Sequence, residues 1–127
     1  MVKILPLFKK NVIYITDYHG LESYQQLETH IQSMGECLSE DIVILDLDAD
    51  RRIVSEELKK YDVPCVIGLS SLWTTEKVIT ALKYNCRAFL ETEKIFSICN
   101  TITLILKYKL NVFDKSVMLV ISSLLAI

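Results

Sequence analysis

The chain has 127 residues, with fourteen basic and sixteen acidic side chains, a net charge of −2 and 51% hydrophobic residues. That length suits one domain around a single apolar core. The balanced charge, with no basic stripe, argues against a nucleic-acid surface, and the apolar content excludes a disordered chain.

At the N-terminus the apolar run Ile4 to Phe8 is too short for a secretory signal. It predicts at most an extra edge strand in "VKILPLF", where Pro6 is tolerable at an edge and the direction is left open. Four short runs then read as strands: "NVIYIT" at 11–16, "DIVILDL" at 41–47, "PCVIGLS" at 64–70 and "RAFLE" at 87–91. Their hydrophobicity is continuous rather than alternating, as a parallel sheet covered on both faces demands.

Helical periods lie between them. Leu21, Tyr24, Leu27, Ile31 and Met34 recur at three to four residues, with Gly35 as a stop. "RRIVSEELKKY" predicts a short helix at 51–61 with Ile53, Val54 and Leu58 inward, and "TTEKVITALKY" one that buries Val78, Ile79 and Leu82. "EKIFSICNTITLILKYK" carries Ile95, Ile98, Ile102 and Leu106. "DKSVMLVISSLLAI" reads as a last helix capped by Asp114. The order β-α-β-α-β-α-β-α plus one helix predicts a doubly wound α/β domain with a mostly parallel sheet.

Lys107, Lys109, Asp114 and Lys115 interrupt the C-terminal region, so no membrane span is expected. Cys37, Cys65, Cys86 and Cys99 lie 28, 21 and 13 positions apart without a C-x-x-C pair. That spacing fits reduced thiols in a cytoplasmic protein better than a disulfide frame or a zinc site. Three glycines give no material for a glycine-cradled nucleotide site.

In such a sheet the functional crevice lies beyond the carboxyl ends of the strands, where Asp17, the run Asp46 to Asp50, Ser70 and Thr92 would fall. A solvated loop with Asp48 or Asp50 capping the next helix explains one of these acids well and all of them poorly. Asp46 sits inside the apolar run. His19 and His30 have no partner at useful spacing, and Trp73 reads as a core residue or an exposed anchor.

The succession "YITDYHG", "VILDLDAD", "PCVIGLSS" and "ALKYNCRAFLETE" resembles a response-regulator receiver domain over about residues 11 to 109. The resemblance implies a flavodoxin-like fold with Asp46 as phosphoacceptor. It implies Mg²⁺ ligands from Asp17, Asp46 and the backbone carbonyl of Asp48, with Ser70 and Phe89 as switch positions. Three departures stand out. Thr16 occupies the place of one metal-binding acid, and Thr92 that of the family's lysine, with Lys94 two positions on. The 29 positions from Asp17 to Asp46 leave no room for the family's second strand and helix.

The expectation is therefore an atypical, shortened receiver in two-component signalling, not an enzyme and without a cofactor, with phosphorylation by Mg²⁺ chemistry as the alternative. "LDLDAD" also fits the opening motif of haloacid-dehalogenase-like phosphatases, although Ala49-Asp50-Arg51 follows where that family continues Gly-Thr. The tail resembles the first helix after the receiver of LuxR-type transcription regulators. Without a recognition helix, the chain itself is not expected to read DNA. Residues 1–109 would form the receiver-like domain and 110–127 an apolar linker or dimerisation helix. A homodimer, or a heterodimer with a related regulator, is the expected partnership.

Overall fold

The computed structural model describes residues 3–6, 11–17, 21–33, 41–49, 56–61 and 65–126. Strands β1 (Lys3–Pro6), β2 (Val12–Thr16), β3 (Ile42–Asp46), β4 (Cys65–Ser70), β5 (Ala88–Glu91) and β6 (Val112–Phe113) form one sheet in sequential order. Helix α1 (Leu21–Gln32) lies between β2 and β3, and α2 (Thr75–Lys83) between β4 and β5. A 3₁₀ helix (Thr92–Ser97) leads into α3 (Ile98–Tyr108), and α4 (Lys115–Leu125) follows β6. Of the helix expected at 51–61, residues 56–58 are helical; Ile53, Val54, Asp50, His19, Met34, Gly35 and Cys37 lie outside the described residues.

The expected α/β class holds: β2 to β6 are all parallel, and helices cover both faces of the sheet. β3 and β4 are buried along their whole length, which is why they read as unbroken apolar runs. The N-terminal strand is antiparallel to β2, with Lys3 opposite Thr16 and Pro6 opposite Ile13. As the edge strand it tolerates the proline, which has no N–H to donate.

The two faces separate by the two-residue period of the strands. On the first face, Val12, Tyr14, Ile42, Ile44, Cys65, Ile67, Leu69, Ala88 and Leu90 meet Leu27 and Ile31 of α1, Ile95, and Ile98, Ile102 and Ile105 of α3. On the second, Ile15, Val43, Leu45, Val66 and Phe89 meet Leu58, Trp73, Val78 and Ala81, with Val117 of α4. Phe89 is fully buried, stacked on Trp73 at 5.4 Å between ring centroids and 5.0 Å from Phe113. The Trp73 indole donates to the Leu90 carbonyl at 3.0 Å, so this residue is core and not an exposed anchor.

Strand order and helix placement together fix relative handedness. Each parallel crossover steps one strand in the same direction, yet α1 and α3 lie on the first face while Leu58 and α2 lie on the second. The crossovers through α1 and α3 therefore have the opposite hand from the other two. Right-handed crossovers make up about 98% of known cases, so two of the four are of the rare kind.

Residues beyond Lys109 continue the same domain. β6 pairs with β5 in the register Ala88 to Val112 and Phe89 to Phe113, and α4 packs beside α2 with Val117 buried. Asp114 stands at the N-cap of α4 as expected, but its side chain does not cap that helix; it accepts from the Glu91 backbone N–H at the end of β5. Among the described residues no helix is long and apolar enough to cross a membrane.

Candidate functional site

The chain leaves β2 toward the first face, into α1, and leaves β3 toward the second, so the two connections part at the carboxyl ends of adjacent strands, the place where such sheets bind ligands. Thr16 ends β2 and Asp46 ends β3, with Asp48 two residues further on. Ser70 ends β4, next to β3 in the sheet. The strand-end groups singled out in the sequence are thus neighbours, brought together by the parallel register.

Asp46 is 6% exposed and both its oxygens are occupied. Oδ2 accepts the Thr16 hydroxyl at 2.6 Å, and Oδ1 accepts the Asp48 backbone N–H at 2.9 Å. Burial raises the Asp46 pKa; these two hydrogen bonds oppose the rise, and the charges of Asp48 and Asp17 add to it. Below Asp46, the buried Tyr14 has its phenol pKa raised by burial and by the Asp46 charge, while hydrogen bonding with Thr16 and Ser23 pulls it the other way.

Asp48 belongs to a second group. Its Oδ1 accepts the Ser70 hydroxyl at 2.7 Å and Lys77 Nζ at 2.6 Å, and its Oδ2 accepts the Ser71 backbone N–H at 2.8 Å. Lys77, in the first turn of α2, spends its remaining N–H groups on Ser70 Oγ at 3.0 Å and the Leu72 carbonyl at 3.2 Å. Three donors meet three acceptors, so the ammonium is fully satisfied. Partial burial raises the Asp48 pKa, but the bonds from Lys77, Ser70 and Ser71 outweigh it and the net shift is downward.

Lys77 is the site residue that sequence reading missed. The crevice has a cation after all, reached from a helix rather than from the loop after β5 where the family's lysine would stand. A signal existed: a lysine in the first turn of a helix opposes the helix dipole and so suggests a carboxylate nearby. Thr16 also takes a part in the site, donating its hydroxyl to Asp46.

Ser70 is fully buried and engaged with Asp48 and Lys77 rather than with Asp46. Phe89 is wedged between Trp73 and Phe113. Thr92 lines a shallow depression of about 380 Å³ with Glu22, Ser23, Gln26 and Glu93. Among the described residues no three His, Cys, Asp or Glu side chains are grouped so as to hold a metal ion.

Chemically, the arrangement pairs each of the two carboxylates with a donor from a neighbouring element. Each Asp46 oxygen accepts one hydrogen bond, and burial raises the pKa of the group. No family model, no curated protein and no solved structure matches this chain.

Proposed function

We propose that this chain is an atypical, receiver-like signalling module of a bacterial transcription regulator, one that acts in the cytoplasm through protein contact and not by phosphoryl transfer. The observation that carries the reading is the Thr16 hydroxyl on Asp46 Oδ2 at 2.6 Å, where a receiver would need an open carboxylate. The Lys77–Asp48–Ser70 cluster supports it, because an internal ammonium already neutralises the acid that would face a metal. The partner class is another protein, a related regulator or a second copy.

The test is incubation with Mg²⁺ and beryllium fluoride, or with a small phosphoryl donor, read by intact mass and by Trp73 fluorescence. No saturable change is expected in the wild-type chain. Stoichiometric uptake that Asp46→Asn abolishes would establish a working receiver instead. Turnover of a generic phosphomonoester lost in the same variant would favour the phosphatase.

A further inference from the structure

Residues 112–126 are attached to the domain by few buried contacts. β6 has two residues and both are half-buried. In α4 only Val117 is fully buried, while Met118, Leu119 and Leu125 are 46%, 65% and 82% exposed. The connection from α3 is three residues long, 109–111. It turns on Lys109 at φ 58° and ψ 31°, a left-handed conformation that suits glycine and strains a residue with a Cβ. The crossover it completes, β5–α3–β6, is opposite in hand to the neighbouring one through α2. A short, strained hinge of this kind invites exchange of the following element between copies.

From these features we infer that the β6–α4 unit exchanges between two copies of the chain. The segment of each copy then docks on β5 and α2 of the other. Every contact that holds it in one chain is remade across two: the β5 pairing, Phe113 on Phe89, the Asp114 bond to Glu91 N–H and the Ser116 hydroxyl on Glu91 Oε1. What changes is the hinge, which straightens and gives up both the left-handed Lys109 and the short opposite-hand connection. The occupant of the β5 edge is a second copy's own segment, independent of what the strand-end acids do.

The test uses the full chain. Light scattering of the wild type should show a slow monomer–dimer equilibrium, because exchange requires undocking of 112–126. Lys109→Gly removes the strain from the closed hinge of each of the two monomers and should weaken dimerisation by about 30-fold, from roughly one tenfold-scale gain per monomer, partly offset. Lys109→Pro cannot adopt positive φ and should shift the population toward dimer.

The connectivity is read by mixing a Glu91→Cys chain with a Ser116→Cys chain under oxidising conditions, each variant alone serving as the control for native thiols. A disulfide joining the two different chains is expected. A wild type that is monomeric at all concentrations overturns the inference. So does a dimer that neither joins the mixed chains nor responds at Lys109, which would mean simple docking through the exposed face of α4.

Discussion

The buried hydrogen bond from Thr16 to Asp46 makes a quantitative prediction. Thr16→Val keeps the volume and shape of the side chain but removes the hydroxyl, leaving one oxygen of a carboxylate that is 6% exposed without its donor. Hydrogen bonds to charged groups contribute about 1.5–3 kcal/mol, so the variant should lose roughly 2–3 kcal/mol at pH 7.5. In an Asp46→Asn background the same change breaks only a bond between neutral groups and should cost about 1 kcal/mol. The double-mutant cycle should therefore return a coupling of about 1.5 kcal/mol, well outside the ~0.5 kcal/mol scatter of independent sites.

Urea unfolding followed by the fluorescence of Trp73, the single tryptophan of the chain, measures all four corners of the cycle. Its buried position on the second face makes it a reporter of global unfolding. A coupling indistinguishable from zero would refute the claim that Thr16 holds the ionised Asp46. So would a Thr16→Val cost that is equal in both backgrounds.

Three more outcomes follow from the same network. Because burial raises the Asp46 pKa, its contribution to stability is complete below the unfolded value of about 3.9 and is lost as pH rises through the folded value. Asp46→Asn should thus gain on the wild type as pH increases from about 4 to about 8, and a flat difference in urea titrations would contradict the shift. Asp48 has the opposite sign: its lowered pKa gives stability above about pH 3.9 that disappears on acidification. Lys77→Met should cost about 1 kcal/mol at neutral pH, modest because the pair is partly exposed, with the deficit shrinking in acid; a constant deficit would point to lost packing alone. Gly68→Ala should destabilise by about 1–3 kcal/mol and perturb the tryptophan spectrum, since its Cβ would meet Trp73 at 3.2 Å and Leu47 at 3.3 Å; a wild-type melting curve would show that the indole yields freely.

Much of this architecture was legible in the sequence because burial imposes itself directly on composition. β3 and β4 lie between two helical layers, so every position must be apolar until the chain reaches the crevice, and the first polar side chain after each run, Asp46 or Ser70, marks the strand end. What stayed hidden depends on tertiary direction. β6 has only two residues, too few for a period, and its identity comes from pairing with Ala88 and Phe89 rather than from its own sequence. The antiparallel course of β1 likewise follows from its partner. Lys77 looked like one more surface charge on a helix, because nothing within α2 says that its first turn overhangs the end of β3.

The hidden lysine also bears on how the fold and the chemistry are linked. α1 crosses directly from β2 to β3 on the face opposite Leu58, so that crossover has the opposite hand from the one through Leu58, and the parallel pairing keeps Thr16 and Asp46 on adjacent strands. A receiver-like site would place an acid at the Thr16 position; a second carboxylate there, against an Asp46 whose pKa is already raised, would add repulsion in a region of low dielectric. A hydroxyl relieves that repulsion and contributes a proton instead. Lys77 performs the equivalent service for Asp48 on the second face. Each of these two carboxylates is thus held by a partner from a neighbouring element, Thr16 on β2 or Lys77 on α2. Introducing an acid by Thr16→Asp should therefore not create Mg²⁺ binding unless Lys77 is removed as well, and calorimetric titration of Mg²⁺ into the single and double variants distinguishes the two. Binding by Thr16→Asp alone would show that the ammonium does not stand in for the cation.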